Sequence, residues 1–143
     1  MFDEIQISFM NEQRVARLAT ADVNGAPHVV PVCFVLESQQ VYITIDEKPK
    51  NEPSRPLKRI RNILENPKVS LVADRYDEDW ECLGWIMLRG TAEILECGAE
   101  HDRAQTLLKS RYPQYAQMEL DELPVIAIRV ARVTSWGNLD AGS

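Results

Sequence analysis

No apolar run in this chain of 143 residues approaches the roughly 18 that a membrane-spanning helix needs. Cysteine is scarce: Cys33, Cys82 and Cys97 are odd in number, widely spaced and without a C-x-x-C pair. With only His28 and His101 besides, neither a disulfide framework nor a zinc site is supported, and the thiols read as small buried or half-buried side chains. A basic, apolar leader is also missing. MFDEIQISFMNEQ puts acids where a secretory signal carries Lys or Arg, so a cytoplasmic protein is expected. Internal repeats, low-complexity segments and any nucleophile, triad or paired acid and base are likewise lacking.

What is present suits a single domain over residues 1–143. Apolar residues make up 45% and charged residues 27%, the balance of a globular protein. The net charge of −6 is unevenly spread. KPKNEPSRPLKRIR, residues 48–61, holds six basic side chains and one acidic one; taking these from the totals of 16 and 22 leaves 10 basic against 21 acidic. A nucleic-acid binder spreads positive charge over a whole face and interleaves aromatics with it, and this stretch contains no aromatic residue. One compact positive spot on an acidic chain fits a small anion better.

Ile5, Phe9 and Met10 recur at helical spacing near the N-terminus. RVARLATA (14–21) and HVVPVCFVL (28–36) read as strands joined by a hairpin at Asn24-Gly25, a pair that accepts positive φ. Pro31 implies an edge, a bulge or an interrupted ladder in the second of them. VYITID (41–46) completes a three-strand meander. SRPLKRIRNILENP (54–67) reads as a helix with Leu57, Ile60 and Leu64 on one face, ended by Asn66-Pro67. KVSLVADRY (68–76), GWIMLRGTAEILE (84–96) and PVIAIRVARVTSW (124–136) are strands, with a bulge or bend expected at Gly90. HDRAQTLLKSRY is a further amphipathic helix. About six strands joined mostly by short turns predict a mainly β (α+β) fold, a small antiparallel barrel with two or three short helices.

The runs RVARLATADVNGAPHVVPVCFVL, VYITIDEKPK, LKRIRNILENPKVSLVADRY and DEDWECLGWIMLRGTAEIL together resemble the pyridoxamine 5'-phosphate oxidase-like split-barrel superfamily, and within it the branch of oxidoreductases dependent on the deazaflavin coenzyme F420. The resemblance implies a six-stranded split β-barrel that forms a homodimer, with F420 or FMN in grooves between subunits. It implies an oxidoreductase that transfers a hydride between that cofactor and a small organic substrate. The same barrel also allows a non-catalytic protein that stores a flavin, a deazaflavin or a tetrapyrrole such as haem. Carried over, Val30, Pro31 and Val32 line the cofactor ring, Thr44 and Ile45 meet it or its side chain, and Lys48 and Lys50 pair with phosphate. Ser54, Arg55, Lys58 and Arg59 are further phosphate candidates, and the basic residues among them suit the acidic tail of F420. The vitamin B6 oxidases proper carry an arginine in the second strand and a basic C-terminal segment. HVVPVCFVL and GNLDAGS have neither, so oxidation of pyridoxamine phosphate is not expected.

Each assignment has a plainer alternative. Lys58, Arg59 and Arg61 lie off the apolar stripe and also read as a solvated helix face. Lys48 and Lys50 precede that helix and, two apart on an extended chain, point to the same side, so two ammonium groups converge on one phosphate. His28 reads as structural more readily than substrate-facing, and His101 as a surface residue. Trp80, Trp85 and Trp136 read as core or dimer contacts, and Asp74, Asp77, Glu78 and Asp79 as a solvated turn without calcium-loop spacing.

Overall fold

A computed structural model describes residues 1–45 and 57–141. Lys48, Lys50, Ser54 and Arg55 lie outside the described residues. In chain order the elements are α1 (Glu4–Glu12), β1 (Ala16–Ala21), β2 (Pro27–Val32), β3 (Val35–Glu37), β4 (Gln40–Thr44), α2 (Lys58–Glu65), β5 (Lys68–Arg75), β6 (Gly84–Leu95), α3 (Ala99–Arg111) and β7 (Val125–Gly137), with short 3-10 turns at Trp80–Cys82 and Pro113–Gln117. All strand pairs are antiparallel, in one sheet of order β2-β1-β5-β6-β7-β4-β3. β2 and β3 stand at opposite ends of that order yet are consecutive in the chain. The sheet therefore curls into a split barrel.

Seven strands replace the expected six because HVVPVCFVL is broken at Cys33-Phe34. The break has a local cause. The Tyr112 hydroxyl accepts the Phe34 N–H at 3.1 Å and lies 2.9 Å from the Phe34 carbonyl and 2.8 Å from that of Arg14, so Phe34 is satisfied by a side chain rather than a ladder. The expected meander is corrected accordingly. β2 pairs with β1 and β3 with β4, while β4 crosses to β7. Pro31 is accommodated because β2 is a sheet edge with a ladder on one side.

Turn chemistry differs from the expected tight hairpin as well. Gly25 has φ +83°, but Asn24 has no positive φ; Asp22 instead organises the turn, its carboxylate accepting the N–H groups of Asn24 and Ala26, each at 2.9 Å. The bulge at Gly90 is present, between Arg89 and Gly90. A Cβ there would fall 2.0 Å from the Arg129 carbonyl oxygen, so only glycine lets β7 approach so closely.

Leu18, Phe34, Leu71, Ile86, Leu88 and Ile128 fill the barrel, and Phe9 and Met10 of α1 with Ile60 and Ile63 of α2 close it. A second cluster, Ala104, Leu108, Tyr115 and Leu120 against Tyr42, Val125 and Ala127, lies between α3 and the outside of β4 and β7. Those strands are thus buried on both faces, which explains why VIAI reads as a continuous apolar run.

Helix α2 is shorter than expected and rotated. The stripe Leu57, Ile60, Leu64 would leave Arg59 in solvent; instead Ile60, Asn62 and Ile63 are buried and Leu64 is 67% exposed. At about 100° per residue, the buried arc centres between Arg59 and Ile63 and turns Arg59 inward. Two further expectations are corrected: His101 is buried and Cys97 is exposed. Of the tryptophans expected as core or dimer contacts, Trp80 and Trp136 are exposed on the single chain and so are not core residues.

Candidate functional site at the open edge of the barrel

A cavity of about 380 Å³ lies where the barrel splits, along the outer margin of β2. β2 supplies Val30, Pro31 and Val32, and Cys33 extends the wall into the break. Val15 precedes β1, and Ile43 and Thr44 come from the end of β4. Arg59 of α2 and Tyr115 of the 3-10 turn 113–117 complete the lining. β2 is a sheet edge with no neighbouring strand to cover it, so apolar residues of both its faces border the cavity.

Of the expected site residues, Val30, Pro31, Val32 and Thr44 meet in this cavity. Ile45 does not line it; it is 3% exposed in the core, its N–H bonded to the Pro124 carbonyl at 3.0 Å. Lys58 points elsewhere, with Nζ 4.0 Å from Asp22 Oδ2. Arg59, a lesser phosphate candidate that also read as solvated, is half-buried, and its Nε has no hydrogen-bond partner. Val15, Cys33, Ile43 and Tyr115 were not among the expected residues. Tyr115 carries no sequence signal; its position depends on packing edge-on to Tyr112, with ring centroids 5.4 Å apart.

Outside the cavity lining, further polar groups on β2 and α2 are unsatisfied. His28 sits on the same face of β2 as Val30 and Val32, half-buried, with Nδ1 unpartnered. Across the ladder from it, the Thr20 hydroxyl accepts the Asn62 amide at 3.0 Å, while Asn62 Oδ1 has no partner.

The α3 side is knit together. Gln105 Nε2 lies 2.9 Å from Thr44 Oγ1, 2.9 Å from the Leu120 carbonyl and 3.2 Å from that of Leu123, tying the cavity floor to the 118–124 segment. His101 Nε2 is 2.7 Å from the Leu123 carbonyl and Nδ1 is 3.0 Å from Asp102. Both ring nitrogens thus meet acceptors, an arrangement only the imidazolium fully satisfies. Burial pushes its pKa down, but the Leu123 carbonyl and Asp102 carboxylate outweigh burial and hold it above the ordinary value. Beyond them, Arg129 bonds Glu100 and Glu93 and holds the Glu100 carboxyl down at about 2, helped by the Tyr42 hydroxyl at 2.7 Å. Burial, then Glu100, pushes Tyr42 up to about 12. Among the described residues, no three His, Cys, Asp or Glu side chains converge as metal ligands, and no helix is long and apolar enough to cross a membrane.

A curled antiparallel sheet with an apolar cavity at its split edge defines the split-barrel class. The chain belongs to the pyridoxamine 5'-phosphate oxidase family, whose sequence pattern matches residues 2–137. It is 28% identical over 137 residues to 5a,11a-dehydrotetracycline/5a,11a-dehydrooxytetracycline reductase of Streptomyces rimosus subsp. rimosus, covering 95% of this chain and 83% of that protein. Its fold is similar to that of the haem storage protein of Vibrio cholerae (TM-score 0.68, 17% identity, 91% of this chain and 89% of that one). It is also similar to that of an FAD-binding protein of Mesorhizobium loti (TM-score 0.68, 22% identity, 94% of each chain).

Proposed function

We propose that the chain is an oxidoreductase that holds F420 or FMN in the cavity along β2 and passes a hydride between that cofactor and a small, planar organic substrate, as a cytoplasmic homodimer. One observation carries this reading: a half-buried guanidinium, Arg59, with an unpartnered Nε, in a cavity whose other walls are chiefly Val15, Val30, Pro31, Val32 and Ile43. Both cofactors join a flat ring to a phosphate-bearing chain. The ring needs apolar walls and the phosphate needs a buried cation, so the residues present fit. When bound, such a cofactor supplies the hydride chemistry in its own ring. The protein's part is to bind, orient and exclude water. Val30, Pro31 and Val32 give the ring its resting face, and Arg59 donates to the phosphate. Lys48 and Lys50 are proposed as its main phosphate partners, with Ser54 and Arg55 behind them. Lys58, exposed beside Asp22, suits the acidic tail of F420 rather than the buried phosphate.

The likeness to a reductase supports turnover. A second reading, storage of haem or flavin without turnover, is favoured by the fold likeness to a haem storage protein. Absorption titrations of the purified protein with F420, FMN and haem, followed by hydride-transfer assays on a panel of fused-ring substrates, separate the two. Saturable F420 or FMN binding with turnover is expected. Binding without turnover across the panel overturns the enzymatic reading, and unchanged cofactor affinity after Lys48→Ala with Lys50→Ala overturns the phosphate site.

A further inference from the structure

The carboxamide of Gln105 is a costly group to place where it stands. It lies in the middle of α3, 2% exposed, and its Oε1 has no hydrogen-bond partner. A buried acceptor left unpaired destabilises a fold, so another contact of the same side chain must require this orientation. Chemistry fixes the orientation itself. Nε2 lies 2.9 Å from the Leu120 carbonyl and 3.2 Å from that of Leu123, and a carbonyl oxygen only accepts, so the amide nitrogen has to face them.

Neither carbonyl depends on Gln105. The Leu123 N–H donates to the Leu120 carbonyl at 2.9 Å, and His101, one turn earlier on α3, brings its Nε2 within 2.7 Å of the Leu123 carbonyl. Thr44 is different. Its Oγ1, 2.9 Å from Gln105 Nε2, has no other hydrogen-bond partner among the described residues. An amide nitrogen accepts no hydrogen bond, so Thr44 is the acceptor in this contact and its own proton is left to donate elsewhere. Thr44 is 2% exposed, and the space it borders is the cavity along β2.

We propose that Gln105 is a positioning residue for that cavity: by donating to Thr44 Oγ1 it leaves the Thr44 hydroxyl to donate into the cavity, to an oxygen of the bound cofactor. This rests on the F420 or FMN reading above and assigns one contact within it. A hydroxyl that already accepts a hydrogen bond is polarised into a stronger donor. With Arg59 Nε, Thr44 then gives a chiefly apolar cavity two donors, which suits a ligand whose phosphate-bearing chain is rich in acceptor oxygens.

Absorption titrations of the full chain with F420 and with FMN test it, with circular dichroism checking that each variant is folded. Thr44→Val keeps the shape of the side chain and removes the hydroxyl; the cofactor dissociation constant is expected to rise about tenfold, the loss of one hydrogen bond. Thr44→Ser keeps a hydroxyl and is expected to recover most of that affinity. Gln105→Met removes the amide at similar length. It is expected to raise the constant about threefold or more in the wild-type chain and to add nothing on top of Thr44→Val, because Gln105 acts through that hydroxyl. Gln105→Asn, which keeps an amide but shortens its reach, is a second variant expected to give the same pattern. A Gln105 that served only to hold α3 to the 118–124 segment would weaken binding by the same factor in both backgrounds. That result, or unchanged affinity in Thr44→Val, overturns the assignment and leaves the cofactor reading standing. A wild type that binds neither cofactor overturns both.

Discussion

The α3 and α2 sides of the cavity are built to different standards. On the α3 side, both nitrogens of His101, the amide nitrogen of Gln105, the hydroxyl of Tyr112 and the Tyr42–Glu100–Arg129–Glu93 chain all find partners, and Gln105 Oε1 is the exception. On the α2 side, buried atoms of His28, Arg59, Arg61 and Asn62 have none. A buried polar atom without a partner costs about 1–3 kcal/mol, so a fold does not accumulate several in one place for stability's sake. The α3 side is scaffold. Of the four residues on the α2 side only Arg59 lines the cavity, and under the function proposed above it is the one a ligand's oxygen would complete.

Tyr112→Phe is expected to give the largest effect. It leaves the buried Phe34 N–H unpaired at the barrel's break and should cost about 1–3 kcal/mol in urea unfolding. A neutral result would mean that the scaffold side is no better satisfied than the site side.

Arg59→Leu sharpens the comparison from the other direction. Affinity for F420 or FMN is expected to fall about tenfold, the loss of one charge-assisted hydrogen bond. The unfolding midpoint should hold or rise. A fall in stability with unchanged affinity would make Arg59 scaffold too.

The two pH effects are smaller and have opposite signs. Glu100 titrates at about 2 in the fold against an ordinary 4.5, so its contribution is complete above that ordinary value and is lost as pH falls towards 2. In thermal melts, Glu100→Gln should flatten part of the acid loss, modestly, because this pair is partly solvent-exposed. His101 is raised above 6.5, so its contribution is complete below that value and is lost as pH rises through the folded pKa. His101→Gln should remove that decline, and an unchanged slope would show that the imidazolium is not what holds the 118–124 segment.

Strand periods, the Gly90 bulge and the order of elements were legible because alternation and turn residues act over a few positions. Val30, Pro31 and Val32 came from the family resemblance rather than from local spacing, which at Pro31 left an edge, a bulge or an interrupted ladder open; the structure makes β2 an edge and sets all three along the cavity. Arg59 was harder. Three apolar residues on α2 defined a stripe, and the helix packed with that stripe turned aside, bringing Asn62 and Arg59 inward and putting Leu64 in solvent. His101 looked like any polar residue of a surface helix until the 118–124 segment folded over it.

By itself, then, the sequence determined an antiparallel barrel and most of the strands that build it, since these are written in local spacing. Tertiary structure alone decided where the second strand breaks, how far α2 rotates, and that Tyr115 and Arg59 border one cavity. Those outcomes depend on contacts between residues far apart in the chain, such as Tyr112 with Phe34, and no window of neighbouring residues encodes them.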